Sequence, residues 1–191
     1  MSIASYPLER LIIKRKAIRK QLLEAANQPG TRTQDIRIAV LGGSTTNEVV
    51  DLLEILLLDS GFRPTFFQSE YGRYYEDAVL EPEIIANFKP DLVYIHTGIQ
   101  NIQAFQPVAC TEADFPGFVA GELSRYKAIW TSLASAIGCQ IIQNPDGYFG
   151  EPTWDKFWGP IDGAMKAHGV STVPYCLTTK ATLEQGGMIT E

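Results

Sequence analysis

Three short stretches of this 191-residue chain carry the side chains that could do chemistry. The first is Gly42-Gly43-Ser44-Thr45-Thr46, where two glycines permit a tight turn and close approach to the backbone. A serine hydroxyl there stands near the leading N–H groups of a following helix, which favour negative charge and can stabilise an alkoxide or oxyanion. A plainer role also fits, because Ser44 or Thr45 is a preferred helix N-cap. A phosphate-cradling loop fits too, although the lysine of the P-loop pattern is missing. The second stretch is Glu70-Tyr71-Gly72-Arg73-Tyr74-Tyr75. Gly72 reads either as a backbone donor to an oxyanion or as a turn glycine. Arg73 reads either as a partner for a carboxylate or phosphate or as a solvated loop cation. The third stretch, His96-Thr97-Gly98-Ile99-Gln100-Asn101, gathers an imidazole, a hydroxyl and two carboxamides. His96 is one of two histidines in the chain, and it is either a base or a satisfied strand-end residue.

The elements around these stretches predict where they sit. Ile36 to Leu41, Pro64 to Gln68, Asp91 to His96 and Cys139 to Gln143 are short apolar runs of the kind that form buried strands. Leu8 to Asn27 repeats Leu11, Ile18, Leu22 and Ala25 at helical spacing. Val49 to Gly61, Glu81 to Phe88 and the stripe Val119, Leu123, Tyr126, Trp130, Leu133 and Ile137 predict three more helices, with Gly61, Pro90 and Gly138 as stops. Strands alternating with helices imply an α/β protein, a three-layer α/β/α arrangement around a parallel sheet. Ligands of such sheets bind beyond the carboxyl ends of the strands, which is where all three stretches fall. The expected organisation is a basic amphipathic helix over 1–30, an α/β domain over 31–145 and an irregular segment over 146–191. That segment either completes the domain or leads to another, and Ser171 to Leu177 is its one strand candidate.

Composition narrows the function classes. Hydrophobic residues are 45% and charged residues 20% of the chain, as in ordinary globular domains. No apolar run reaches the ~18 residues a membrane span needs, and nothing resembles a secretory signal, so a cytoplasmic protein is expected. Residues 1–27 carry a net charge of +4 within a chain whose total is −6, so the body is acidic and a nucleic-acid partner is not expected. The three cysteines and two histidines have no metal-ligand spacing, and neither a metal nor another cofactor is expected.

Taken together, the three stretches resemble the first sequence blocks of the SGNH, or GDSL-like, hydrolases. That resemblance implies a flavodoxin-like sheet, Ser44 as nucleophile and Gly72 as oxyanion donor, with Gln100 or Asn101 in place of the family's asparagine. Gly43, Thr45 and Arg73 join the candidate binding residues. The Asp-x-x-His block of the family is absent, which leaves His168, preceded by Asp162, or His96 as the candidate base. The chain more closely resembles the N-terminal SGNH-like domain of FkbH-like proteins. The likeness runs through IRIAVLGGSTTNEVVDLLEILLLDSGFRPTFFQSEYGRYYEDAV, FKPDLVYIHTGIQNI and CQIIQN. It implies a biosynthetic serine acyl hydrolase or acyltransferase acting on an ester or thioester of a small acyl substrate. The alternative is a non-catalytic module of the same fold that binds an acyl carrier protein or a glyceryl- or phosphate-bearing group. The basic first helix reads either as a carrier-docking element or as the solvated face of a packed helix, and Tyr74, Tyr75, Trp154 and Trp158 either as the lining of an acyl pocket or as core and surface packing.

Overall fold

A computed structural model describes residues 3, 8–103, 111–143, 161 and 163–172. The chain order is α1 (Leu8–Ala26), β1 (Gln34–Gly42), α2 (Asn47–Asp59), β2 (Phe62–Gln68), α3 (Pro82–Phe88), β3 (Leu92–His96), α4 (Phe115–Ala136), β4 (Gln140–Gln143) and β5 (Ser171–Thr172). A π-helical turn, Glu76–Leu80, precedes α3. Every strand pairing is parallel, and the sheet order is β2-β1-β3-β4-β5, the flavodoxin-like order.

The layers follow from the pleat. Successive side chains of a strand point to opposite faces, so an internal strand covered on both sides must be apolar throughout. Ala39 and Leu41 of β1, with Val93 and Ile95 of β3, share one core with Tyr126, Ile129, Trp130 and Leu133 of α4. Ile38 and Val40 point the other way and are equally buried. A smaller cluster of Ile3, Ile18 and Ile55, with Leu11 and Leu22 against it, joins α1 to α2. Arg19 adds two contacts to Glu54 at 2.5 and 2.8 Å, and Arg15 reaches Glu48 at 3.5 Å and Asp51 at 3.3 Å. Part of the positive charge of α1 is thus spent on the acidic side of α2.

The stops have identifiable causes. Gly61, with φ of 84°, takes the left-handed turn after α2. At the end of α3 it is Lys89, not Pro90, that turns left-handed, with φ of 53° and its N–H donating to the Ile85 and Ala86 carbonyls.

The stretch expected to be irregular contributes to both sheet and core. Ser171 and Thr172 pair with β4, and Ile161, Met165 and Val170 lie in the core beneath α4. The remainder of the expected strand, 173–177, lies outside the described residues, as do Trp154, Trp158 and Asp162. No described helix is long and apolar enough to cross a membrane.

Candidate functional site at the ends of β1 and β3

From β1 the chain passes to β2 on one side of the sheet and then to β3 on the other. The order therefore reverses between β1 and β3, the switch point at which sheets of this kind form a ligand crevice beyond the carboxyl strand ends. Gly42 is in register with His96, and the Gly43 N–H donates to the His96 carbonyl at 2.8 Å. Asn101 closes the other side. Its Oδ1 accepts the Gly98 N–H at 2.8 Å, and its Nδ2 donates to the Gly43 carbonyl at 2.7 Å. One carboxamide thus ties the loop after β1 to the loop after β3. The fit also explains Gly43, because a Cβ there would collide with all three heavy atoms of the Asn101 carboxamide.

Ser44 is half-buried and Thr45 exposed at this crevice. Thr46 is buried, and its hydroxyl does not cap α2. Instead the Gln68 carboxamide donates to Thr46 Oγ1 and to Asn47 Oδ1, each at 2.7 Å. The leading N–H groups of α2 are consequently left without a side-chain cap from Thr46. Gln100 is exposed and folds back over Gly98, where a Cβ would meet its Oε1 at 2.6 Å.

Neither candidate base is hydrogen-bonded to Ser44 among the described residues. His168 immediately precedes β5, at the edge of the parallel sheet opposite to Ser44. Its Nδ1 is 2.8 Å from the Ala164 carbonyl, and its ring lies against Trp130. His96 sits at the correct edge, but its Nδ1 is hydrogen-bonded to the Tyr94 hydroxyl at 3.1 Å. Burial pushes the His96 imidazole below its ordinary value. Gly72, with φ of 75°, occupies a left-handed turn that glycine adopts freely. Arg73 is committed to Asp77 at 3.2 Å and to Glu81 at 2.8 Å, and Asp77 in turn accepts the Ser69 hydroxyl at 2.6 Å.

A second group of residues was not singled out by the sequence. Arg125 on α4 donates to Glu122, to the Tyr74 hydroxyl and, at 2.9 Å, to the Asn101 carbonyl. Glu122 is only 1% exposed, and its other oxygen accepts the Gln103 N–H at 3.2 Å. Burial works against the Arg125 charge, but the hydrogen bonds to Glu122 and Tyr74 outweigh it and hold the guanidinium above its ordinary value. The available signal was Glu122 itself, a carboxylate in the same helical row as the buried Tyr126, Ile129 and Leu133.

No protein-family model matches the chain, and no curated protein matches it. Among solved structures it is similar to the N-terminal part of the protein BF1531 from Bacteroides fragilis, described as containing a phosphatase domain complexed with Mg. The TM-score is 0.58 and the identity 12%, over 81% of this chain and 44% of that one. This chain therefore spans less than half the length of that structure, and the likeness shows the α/β fold. It corrects the sequence reading. The solved structure found is a phosphatase-containing one, not an SGNH hydrolase, so the resemblance to SGNH hydrolases does not hold as an identification. The serine acyl hydrolase or acyltransferase expected from it is withdrawn, and the finding gives the binding-module alternative no better support. The geometry agrees with the first of these corrections, since neither histidine is joined to Ser44 among the described residues. Among the described residues no group of three His, Cys, Asp or Glu could hold a metal ion. Asp77 and Glu122 are already engaged with Arg73 and Arg125, and the buried Glu76 Oε2, which has no hydrogen-bond partner among the described residues, belongs to no group of three such ligands. The described residues do not fit a magnesium centre.

Proposed function

We propose that this chain serves phosphate-ester chemistry, holding a phosphate-bearing small molecule in the crevice between β1 and β3. The observation that carries this reading is the clasped pair of loops at the reversal of strand order. Asn101 fixes both loops while, among the described residues, one of its two Nδ2–H donors has no acceptor, and Thr46 provides no side-chain cap to the leading N–H groups of α2. Backbone and carboxamide donors at a helix N-terminus suit a phosphate dianion. The likeness to a structure that contains a phosphatase domain supports the same substrate class. No chemical step is assigned to a metal, because the described residues offer no ligand set. The test is a titration of the protein with phenyl phosphate, followed by amide resonances with and without magnesium. Shifts confined to residues 43–47 and 98–101, independent of magnesium, are the expected result. Shifts that map elsewhere, or none at millimolar ligand, defeat the reading.

A further inference from the structure

We infer that Arg125, held by Glu122, is the positioning residue that sets the Asn101 carboxamide and through it the shape of the β1/β3 crevice. As far as ligand binding goes, this rests on the crevice reading above. The two charges do not simply neutralise one another. Arg125 donates to the carbonyl of Asn101, and Glu122 accepts from the N–H of Gln103, so the pair grips the backbone of one loop at both polarities. The guanidinium also donates to the Tyr74 hydroxyl, which belongs to the segment after β2, and lies over the Tyr126 ring at 4.9 Å. Asn101 carries the constraint onward to Gly98 and Gly43. Segments following β1, β2 and β3 therefore meet, directly or through one carboxamide, on a single side chain of α4.

A buried ion pair is a poor device for stability, since desolvating two charges offsets most of their attraction. Its use here is geometric. Only a planar guanidinium has enough donors in a fixed fork to reach Glu122, Tyr74 and Asn101 together. A lysine keeps the charge and the Glu122 attraction but has a single nitrogen from which to reach the same three partners. The conservative variant therefore separates a positioning role from plain charge neutralisation.

The experiment compares the ligand-free full chain with Arg125→Lys by following the side-chain amide resonances of Asn101 and its exchange with water. The backbone amides of Val93 and Ile95 serve as internal references for the core. The expected result is Asn101 carboxamide exchange about tenfold faster, with the core amides unchanged, as for loss of one charge-assisted hydrogen bond. Glu122→Gln, nearly isosteric and uncharged, is expected to act in the same direction and serves if the lysine variant does not fold. Unchanged Asn101 exchange in a folded variant overturns the inference. So does acceleration matched by the core amides, which would mark a purely structural role. Binding of phenyl phosphate is measured alongside. Wild-type protein that fails to bind it defeats the crevice reading alone, because the Asn101 measurement needs no ligand.

Discussion

Gly43→Ala is the sharpest single perturbation of the crevice. Gly43 is not in the left-handed region, so alanine costs nothing there in backbone conformation. The cost is steric: the new Cβ collides with the Asn101 carboxamide, which has to leave. Its departure breaks the bonds to Gly98 N at 2.8 Å and Gly43 O at 2.7 Å. At about 0.5–1.5 kcal/mol each, the loss is about 1–3 kcal/mol. For a chain of this size that lowers the melting temperature by about 2–12 °C. Asn101→Ala removes the same two bonds without a clash and should cost a similar amount. The double variant decides the matter. With the carboxamide already gone, the added Cβ has room, so Gly43→Ala in the Asn101→Ala background should cost less than about 0.5 kcal/mol. Urea denaturation followed by circular dichroism measures all four states of the cycle. Additive single effects would refute the claim that Gly43 is a glycine because Asn101 stands over it.

Other perturbations read other parts of the structure. Trp130→Phe removes the indole N–H that donates to the buried Gln143 Oε1 at 2.8 Å, and should destabilise by about 1–3 kcal/mol in the same denaturation assay. His96 has its folded-state pKa lowered from 6.5 by burial, so below that pH the unfolded chain binds the extra proton first. Stability should therefore fall as pH drops through 6.5 toward the folded value, and His96→Gln should flatten that part of the pH profile. Lys89→Gly relieves a left-handed residue at the end of α3 and, net of the entropy glycine loses, should raise stability by up to about 1 kcal/mol.

Much of the fold was legible because each element declares itself locally. The β-branched run of β1 and the four-three spacing on α4 depend only on which faces must be apolar, so sheet and helices follow from pattern. The edge at which the loops gather is also legible, since a parallel sheet with crossover helices sends successive loops from strand ends to the same side. The chemistry at that edge was not. Which hydroxyl meets which imidazole depends on rotamers and on side chains from distant segments. His168 resembles a tail-end base in sequence, yet it precedes its strand rather than following it, and that puts it at the wrong edge. Arg73 resembles a free cation, yet Asp77 in the π-helical turn and Glu81 just after it fold back onto the guanidinium and neutralise it. Arg125 escaped notice because its partners, Tyr74 and Asn101, lie far back in the chain.

The central place of β1 has a consequence for how the protein is made. β1 is synthesised before β2 and β3, the two strands that flank it in the sheet. Until β3 appears, the apolar run from Ile38 to Leu41 has at least one open edge, the condition under which nascent strands pair with neighbouring chains. Two features limit that hazard. Asp35 and Arg37 place opposite charges at the entrance to the run, a gatekeeping arrangement. Asp91, at the mouth of β3, then receives the Arg37 N–H on its carboxylate at 2.8 Å and donates its own N–H to the Arg37 carbonyl at 2.8 Å. That paired grip pins β3 to β1 in one register, and with it the alignment of the two strand ends where the loops gather.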